Sequence, residues 1–246
     1  MVKVIDISKH NGTIDFAKVK ADGISGVIIR AGYGRSISQK DPTFEAYYKN
    51  AKAAGLNVGA YWYSYALSVS EAKLEAAVFL EAIKDKQFEL PVYYDIEEEK
   101  HVALGKTICS AMAEAFCGAM EQAGYFAGVY SFDSFFGSNL AESTQKKYSC
   151  WVARVENVKP TYCKAYDMHQ YTWAGKVNGV PNVCDISYCY KDFPAIIKKA
   201  GLNGFKVKKS CYSVTANISG CSYEKAAEIG KKCSQLGMTV VTKEEK

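Results

Sequence analysis

The sequence lacks any apolar run near the roughly 20 residues that a transmembrane helix requires. It also lacks the apolar segment of a secretory signal, because Met1 leads directly into a short strand-like stretch that reaches an acid at Asp6. These absences argue against a membrane-spanning protein. We expect either that the protein is made without export or that its export signal is missing from this chain.

Metal-ligand patterns are equally scarce. The nine cysteines form no CxxC pair, and His10, His101 and His169 show no H-x-x-x-H spacing. A zinc cage and a metal-dependent hydrolase are therefore poorly supported, and we predict no metal and no cofactor. Cys109 and Cys117 fall in an apolar helical stretch, where cysteine usually serves as a small buried hydrophobe. We expect mostly reduced thiols, with one or two disulfide bonds as the alternative.

The composition is that of an ordinary globular protein, with 48% apolar and 23% charged residues in 246. The net charge of +5 is uneven, since residues 206–246 contain eight Lys and four Glu and so carry +4 of it. Such a basic segment suits an anionic wall polymer or nucleic acid. A solvated surface is the simpler explanation, and we predict no nucleic-acid partner.

Strand and helix patterns alternate along the first half of the chain every 25 to 35 residues. Predicted strands at residues 2–8, 26–33, 57–66, 90–95 and 125–131 alternate with predicted helices at residues 15–21, 42–55, 70–83 and 104–122. This order predicts an α/β fold with a parallel sheet closed into an irregular TIM-like barrel.

The rhythm changes after a short predicted helix at residues 143–147. Three further strands are predicted at residues 151–154, 168–171 and 183–186, before a helix at residues 193–200. The centres of these strands are too close for full helical crossovers. The prediction is therefore five β/α units followed by three strands with little helix, some of them antiparallel.

The predicted barrel occupies residues 1–204, and residues 205–246 form a small basic appendage. Its pattern is strand 211–216, helix 223–236 and strand 238–241, which is too small for confident independent folding. It therefore docks on the barrel, pairs with a second chain as a dimer contact, or belongs to a larger module. Wall binding and structural docking are equally open roles.

Carboxylates follow the predicted strands at three separate places. Alternation along the fourth strand puts Asp95 and Glu97 on one face, about 6.5 Å apart at the backbone. Asp6 ends the first strand and Asp185 sits in the last, and these two strands are neighbours in a closed barrel. Each acid alone has a structural explanation, but together they predict an acid-base site at one barrel mouth.

Aromatic side chains are predicted at or just beyond the same strand ends, where flat rings with a polar edge suit sugars. The candidates for substrate binding are Tyr61, Tyr63, Tyr93, Tyr130 and Trp151. Each ring taken singly is explained as barrel packing. Arg30 also ends a strand, and it either binds an anionic substrate group or makes a structural ion pair.

Six motifs then make a specific resemblance. They are Val4-Ile5-Asp6-Ile7-Ser8, Gly59-Ala60-Tyr61, Pro91-Val92-Tyr93-Tyr94-Asp95-Ile96-Glu97, Trp151-Val152-Ala153-Arg154, His169-Gln170-Tyr171 and the late Asp185. In their order and spacing they resemble glycoside hydrolase family 25, the Chalaropsis-type lysozymes that include phage endolysins. The resemblance covers residues 2 to about 200. It departs from the family at Trp62-Tyr63, where His-Phe is frequent, so subsite details are in question.

The resemblance implies an N-acetylmuramidase that cuts the β-1,4 bond between N-acetylmuramic acid and N-acetylglucosamine in peptidoglycan. It implies that Glu97 is the general acid, that Asp95 assists it, and that Asp6 and Asp185 complete the acidic cleft. It also implies that Tyr61 and Gln170 contact substrate. Peptidoglycan strands are the expected partner. The expected place of action is the cell wall, reached outside the cell or from the cytoplasm on release of a phage endolysin.

Two routes stabilise the sugar cation that forms at the reacting carbon. One is direct attack by a carboxylate, and the other is attack by the substrate's own 2-acetamido oxygen while Asp95 holds the amide nitrogen. The D-x-E arrangement resembles that of chitinase-like enzymes, so we favour substrate assistance with retention of the anomeric configuration. We expect Glu98 and Glu99 to matter little. The rival functions are a chitinase-like glycosidase and a non-catalytic barrel that binds wall glycans.

Overall fold

A computed structural model describes residues 1–156, 158–206 and 220–237. Its strands are Val2–Ile7 (β1), Ile24–Tyr33 (β2), Asn57–Tyr63 (β3), Val92–Asp95 (β4), Ala127–Phe132 (β5), Ser149–Ala153 (β6), Met168–Gly175 (β7) and Cys184–Cys189 (β8). Its helices are Phe16–Ala21 (α1), Phe44–Ala53 (α2), Val69–Ala82 (α3), Glu99–Gln122 (α4), Asp133–Asn139 (α5), Glu142–Lys147 (α6), Phe193–Ala200 (α7) and Tyr223–Gln235 (α8).

The eight strands close into one barrel in sequence order. Strands β1 to β7 are parallel to their neighbours, whereas β8 is antiparallel to both β7 and β1. The predicted irregular α/β barrel is therefore confirmed. The short connection of residues 176–183 between β7 and β8 reverses the chain, so the last strand runs against the rest.

Alternation along β4 divides the core into two layers. Tyr93 points into the barrel, where its ring lies 5.1 Å from that of Trp151. Tyr94 points outward and stacks on Phe116 of α4, with ring centroids 4.2 Å apart. All four rings are almost completely buried. Burial of each such side chain contributes on the order of 1.5–3 kcal/mol to folding, so β4 is anchored on both faces.

The barrel is closed at the end where the parallel strands begin. Phe193 and Ile197 of α7 are buried in the same cluster as Leu90, which immediately precedes β4. The Asn203 side chain accepts a hydrogen bond from the Phe126 amide at 2.6 Å and donates to the Leu90 carbonyl oxygen at 2.9 Å. The opposite end, where the parallel strands finish, is left as the mouth.

Two helices differ from the sequence prediction. Helix α4 begins at Glu99 rather than at residue 104, and Gly105 interrupts it with a φ of 76°, which only glycine adopts at little cost. The predicted start at residue 104 lies one residue before this break, so the turn that begins at Glu99 was not predicted. Helix α5 was not predicted, because its seven residues include Gly137 and two serines, which are weak helix formers.

The chain divides into two compact units, residues 1–207 and residues 208–246. In the second unit the structure describes helix α8, close to the predicted 223–236. The predicted strands 211–216 and 238–241 lie outside the described residues, so they stay predictions. In the described parts of the chain, no helix has the length and apolarity to cross a membrane.

The eight cysteines of the described ranges are free thiols, and six of them are buried. Cys109 and Cys117 lie on the buried face of α4, as their apolar neighbours indicated. Across the same ranges, no three His, Cys, Asp or Glu side chains are placed to hold a metal ion.

Candidate active site

Four carboxylates meet at the barrel mouth. Asp95 is the last residue of β4, and Glu97 follows it by two residues. Asp6 and Asp185 are direct partners in the antiparallel pairing of β1 with β8. Because β8 runs antiparallel, its beginning rather than its end lies at the mouth, which brings Asp185 beside Asp6. The structure therefore brings together all four acids that the strand ends indicated.

Burial raises the pKa of every member of this cluster, and repulsion between carboxylates adds to the increase for Asp6, Asp95 and Glu97. The pKa of Glu97 is raised to about 7, first by burial and then by the charges of Glu98 and Asp185. The pKa of Asp185 is raised to about 6 by burial. Burial raises the pKa of Asp6 and of Asp95 well above the usual value, with Asp185 and Glu97 respectively as the next causes. Four clustered acids with raised pKa values, two of them buried and two partly exposed, are typical of a catalytic site.

One oxygen of Asp95 is left without a partner. Asp95 is 3% exposed, and its Oδ1 makes no hydrogen bond to any residue that the structure describes. Buried polar atoms almost always have a partner, so an orphan of this kind needs an explanation. A donor from a bound substrate would supply one.

Gln170 organises the opposite wall of the site. Its Nε2 donates to Asp6 Oδ2 at 3.0 Å, and its Oε1 accepts from Tyr130 OH at 2.8 Å and from Trp173 Nε1 at 2.9 Å. Gln170 is 1% exposed. These three bonds fix the orientation of its amide, so that the N–H end faces Asp6. Trp173, which the sequence reasoning left out of the site, is half-exposed next to this network.

The predicted aromatic contacts lie at different depths. Tyr61 is half-buried at the mouth, where burial and then the charge of Asp6 raise the pKa of its hydroxyl. The Tyr63 hydroxyl donates to Glu98 Oε1 at 2.6 Å. Trp151 is 2% exposed and donates to Ser187 Oγ at 3.0 Å, so it forms the floor under Tyr61 and Tyr130.

Tyr93 lies below this floor. It is completely buried, and its hydroxyl hydrogen-bonds with Ser149 Oγ at 3.2 Å and donates to Met168 Sδ at 3.4 Å. It shares the inward face with Asp95, as alternation indicated, but it lies one pleat deeper. The structure thus gives Tyr93 a packing position with no surface open to a ligand.

Arg30 lies beside the mouth and is held by Asp41. Its Nε donates to Asp41 Oδ2 at 2.9 Å, and Nη2 lies 2.8 Å from the same oxygen. Burial alone would raise the pKa of Asp41, but hydrogen bonds from Thr43, Lys9 and Arg30 outweigh it and lower the pKa. The structural ion pair considered for Arg30 is therefore present.

Two cavities flank the acids at the mouth. One, of about 250 Å³, is lined by residues that follow β1 and end β2 and β3, namely Lys9, His10, Arg30, Tyr33, Tyr63 and Tyr65. The other, of about 490 Å³, lies past β5 and β6 and includes Phe132, Arg154, Tyr162 and Trp173. Neither Lys9 nor His10 was a substrate-binding candidate from the sequence, because no strand end carries them.

The acid cluster should lower the stability of the folded chain. Because the folded-state pKa of Asp185 is about 6 against a usual 3.8, ionising it opposes folding; the penalty is full above about pH 6 and absent below 3.8. We expect Asp185→Asn to raise the free energy of unfolding by about 1–3 kcal/mol at neutral pH and above. Urea denaturation of both proteins at about pH 8 and about pH 4 would measure the gain and its disappearance. Equal stability of the two proteins at about pH 8 would contradict the expected cost of burying the ionised Asp185 carboxylate.

Comparison with known proteins agrees with this geometry. The model of the glycosyl hydrolases family 25 matches residues 5–180, which is most of the chain. The chain belongs to this family. The family 25 resemblance stated for the sequence is therefore confirmed, and three of the four acids, Asp6, Asp95 and Glu97, fall inside the matched segment. Asp185 lies just past it.

The similar proteins include wall-lytic enzymes. The chain is 32% identical over 187 residues to the autolytic lysozyme of Clostridium acetobutylicum, covering 75% of this chain and 55% of that protein. The modular autolysin LytC of Streptococcus pneumoniae is 30% identical, with a TM-score of 0.66, covering 76% of this chain and 46% of that one. The CTP1L endolysin shares the fold at 24% identity, with a TM-score of 0.72, covering 100% of this chain and 84% of that one. This family 25 chain thus spans about half the length of the first two relatives.

Proposed function

We propose that this family 25 protein is a peptidoglycan hydrolase that cleaves the β-1,4 bond between N-acetylmuramic acid and N-acetylglucosamine. The observation that carries the proposal is the cluster of Asp6, Asp95, Glu97 and Asp185 at one barrel mouth, with pKa values raised by burial and repulsion. The relatives support the choice of substrate, since LytC has been solved in complex with a synthetic peptidoglycan ligand. The chain would act on cell-wall glycan strands.

Glu97 is the general acid in this proposal. Its pKa of about 7 keeps the carboxyl largely protonated up to neutral pH, as donation to the glycosidic oxygen requires. Glu97 is also partly exposed at the mouth, whereas Asp95 is deeply buried. The more accessible of the two carboxyls is therefore the one that reaches the leaving group.

Asp95 is the assisting carboxylate. Its orphaned Oδ1 would accept the N–H of the substrate's 2-acetamido group, which turns the acetamido oxygen toward the reacting carbon. Attack by that oxygen and then by water makes two inversions, so the anomeric configuration is retained. Asp6 and Asp185 share a proton by hydrogen bonding, with Asp6 as donor, and add negative potential where the sugar carries positive charge.

The aromatic and amide groups position the sugar. Tyr61 and Tyr63 present ring edges and hydroxyls at the mouth, while Gln170 acts through Asp6 and Tyr130 rather than from an exposed position. Trp151 supports Tyr61 and Tyr130 from below. These contacts suit the alternating apolar faces and hydroxyl edges of a pyranose.

Mass spectrometry of digested peptidoglycan tests the function. We expect soluble muropeptides whose new reducing end is N-acetylmuramic acid, because the leaving oxygen belongs to N-acetylglucosamine. Chitin oligomers incubated in parallel should stay largely intact. Reducing ends on N-acetylglucosamine would assign a glucosaminidase instead, efficient cleavage of chitin would assign the chitinase-like alternative, and binding to walls without any new reducing end would assign a non-catalytic barrel.

A further inference from the structure

The smaller cavity beside the acids differs from them in charge. Lys9 and His10 form a 3₁₀ turn directly after β1, Arg30 and Tyr33 belong to β2, and Tyr63 and Tyr65 lie at and past the end of β3. Because β1, β2 and β3 are parallel, these residues lie at the same end of the barrel as the carboxylates. We call this cavity the cationic subsite.

The lining of the subsite holds two cations, Lys9 and Arg30, and no carboxylate. Two carboxylates lie at its edge, because Asp41 accepts from Arg30 Nε and from the Lys9 amide, and Glu98 accepts from the Tyr63 hydroxyl. Asp41 therefore holds Arg30 in place and neutralises it. The Lys9 ammonium makes no ion pair with any residue that the structure describes. A structural ion pair explains Arg30 but does not explain Lys9.

The subsite also has unused hydrogen-bond donors. Among the residues that the structure describes, the Lys9 ammonium and the hydroxyls of Tyr33 and Tyr65 have no hydrogen-bond partner, and Lys9 and Tyr65 are exposed. Tyr33 and Tyr65 meet edge to face at 6.0 Å, so their rings form one wall. Donors without acceptors, next to the unpaired Lys9 ammonium, suit an acceptor-rich anion.

The volume limits what this anion can be. A cavity of about 250 Å³ is smaller than the ~300–1,000 Å³ typical of sites that enclose a whole small ligand. The subsite therefore suits one charged group of a larger molecule that lies across the mouth. Peptidoglycan carries such groups as carboxylates, either on the peptide stem or, where the peptide is absent, on the lactyl group of N-acetylmuramic acid.

We propose that the cationic subsite binds a carboxylate of the glycan strand's substituents while the sugar chain lies over Asp95 and Glu97. This inference rests on the proposed function, because it takes peptidoglycan as the substrate. It assigns Lys9 as the charged contact and Tyr33 and Tyr65 as supporting donors, with Arg30 held by Asp41 as part of the wall. Discrimination between peptidoglycan and uncharged chitin-like strands then comes from this subsite.

The test compares Lys9→Gln with Lys73→Gln, which removes the same charge from an exposed position on α3. Three soluble substrates distinguish the two possible sources of the bound carboxylate. The first is peptidoglycan fragments whose peptide stems carry free carboxylates, and the second is amidase-treated strands whose lactyl carboxylates are free. The third is the amidase-treated strands after methyl esterification. We expect Lys9→Gln to lower kcat/KM about tenfold on at least one carboxylate substrate, through KM, with kcat nearly unchanged. On the esterified strands the two variants should be equal.

Each outcome has a defined meaning. Loss confined to stem-bearing fragments assigns the peptide carboxylate, loss confined to amidase-treated strands assigns the lactyl carboxylate, and loss on both shows that either group binds. The inference is overturned if Lys9→Gln equals Lys73→Gln on both carboxylate substrates, or if Lys9→Gln loses as much on the esterified strands. Cleavage by the wild-type chain in the same assays tests the proposed function separately, because an active enzyme with an unaffected Lys9→Gln variant contradicts the subsite alone.

Discussion

Replacing Glu97 by Gln is expected to lower kcat on peptidoglycan by about 10²- to 10⁴-fold, the contribution of one positioned general acid. The glutamine keeps the shape of the side chain but has no proton to give to the leaving oxygen. The variant should fold at least as well as the wild type at neutral pH. The reason is that burial and the charges of Glu98 and Asp185 raise the pKa of Glu97 to about 7, so its ionisation opposes folding.

Glu99→Gln is the matched control for this experiment. Glu99 is exposed in the first turn of α4, two residues from Glu97, and the same amide replacement there should leave kcat near the wild-type value. Reducing-end release and thermal unfolding measured on all three proteins separate chemistry from stability. Near-normal turnover of Glu97→Gln would remove Glu97 from the acid role, and a lowered unfolding temperature would show that the residue supports the fold instead.

The second large effect is expected from Asp95→Asn, which should lower kcat by about 10²- to 10³-fold, the range found when one preorganised electrostatic group is removed. The asparagine fills the same buried space, but it lacks the negative charge that stabilises the acetamido N–H in the transition state. Asp85→Asn, at an exposed position, serves as control. NMR of the first-formed product reports the stereochemistry, which should be retention for the wild type.

Three results would contradict the assisted route. Turnover of Asp95→Asn close to that of Asp85→Asn would show that Asp95 takes no part in the chemistry. An inverted first product from the wild type would require direct attack by water and would exclude the acetamido intermediate. A retained product with a trapped glycosyl ester on a carboxylate would select the covalent alternative.

The barrel and its acids could be predicted from the sequence because both depend on local patterns. Period-two alternation and turn residues located the strands, and β4 carries Asp95 with Glu97 two residues beyond it. The short spacing before the last strands indicated the reversal that places Asp185 opposite Asp6. Strand ends at one side of a closed barrel lie close together whatever path the loops take. The acid cluster could therefore be predicted without knowledge of the loops.

Features that depend on depth or on distant contacts could not be predicted in this way. Alternation put Tyr93 on the correct face, but only the packed structure shows that it lies beneath Trp151. Glu98 was expected to matter little, yet it accepts a hydrogen bond from Tyr63 and its charge helps to raise the pKa of Glu97. The cationic subsite forms where a 3₁₀ turn after β1 lies beside the ends of β2 and β3. No local sequence pattern predicts this contact between distant parts of the chain.

The antiparallel pairing of β1 with β8 has a consequence for synthesis of the protein. Asp6 is synthesised before Asp185, which follows 179 positions later in the chain. At typical translation speeds the two acids are made about 10 to 35 seconds apart, and they become neighbours only when the first and last strands join. A nascent or prematurely terminated chain therefore holds an incomplete set of acids, and the proposed acid-base site is complete only after β1 and β8 have paired.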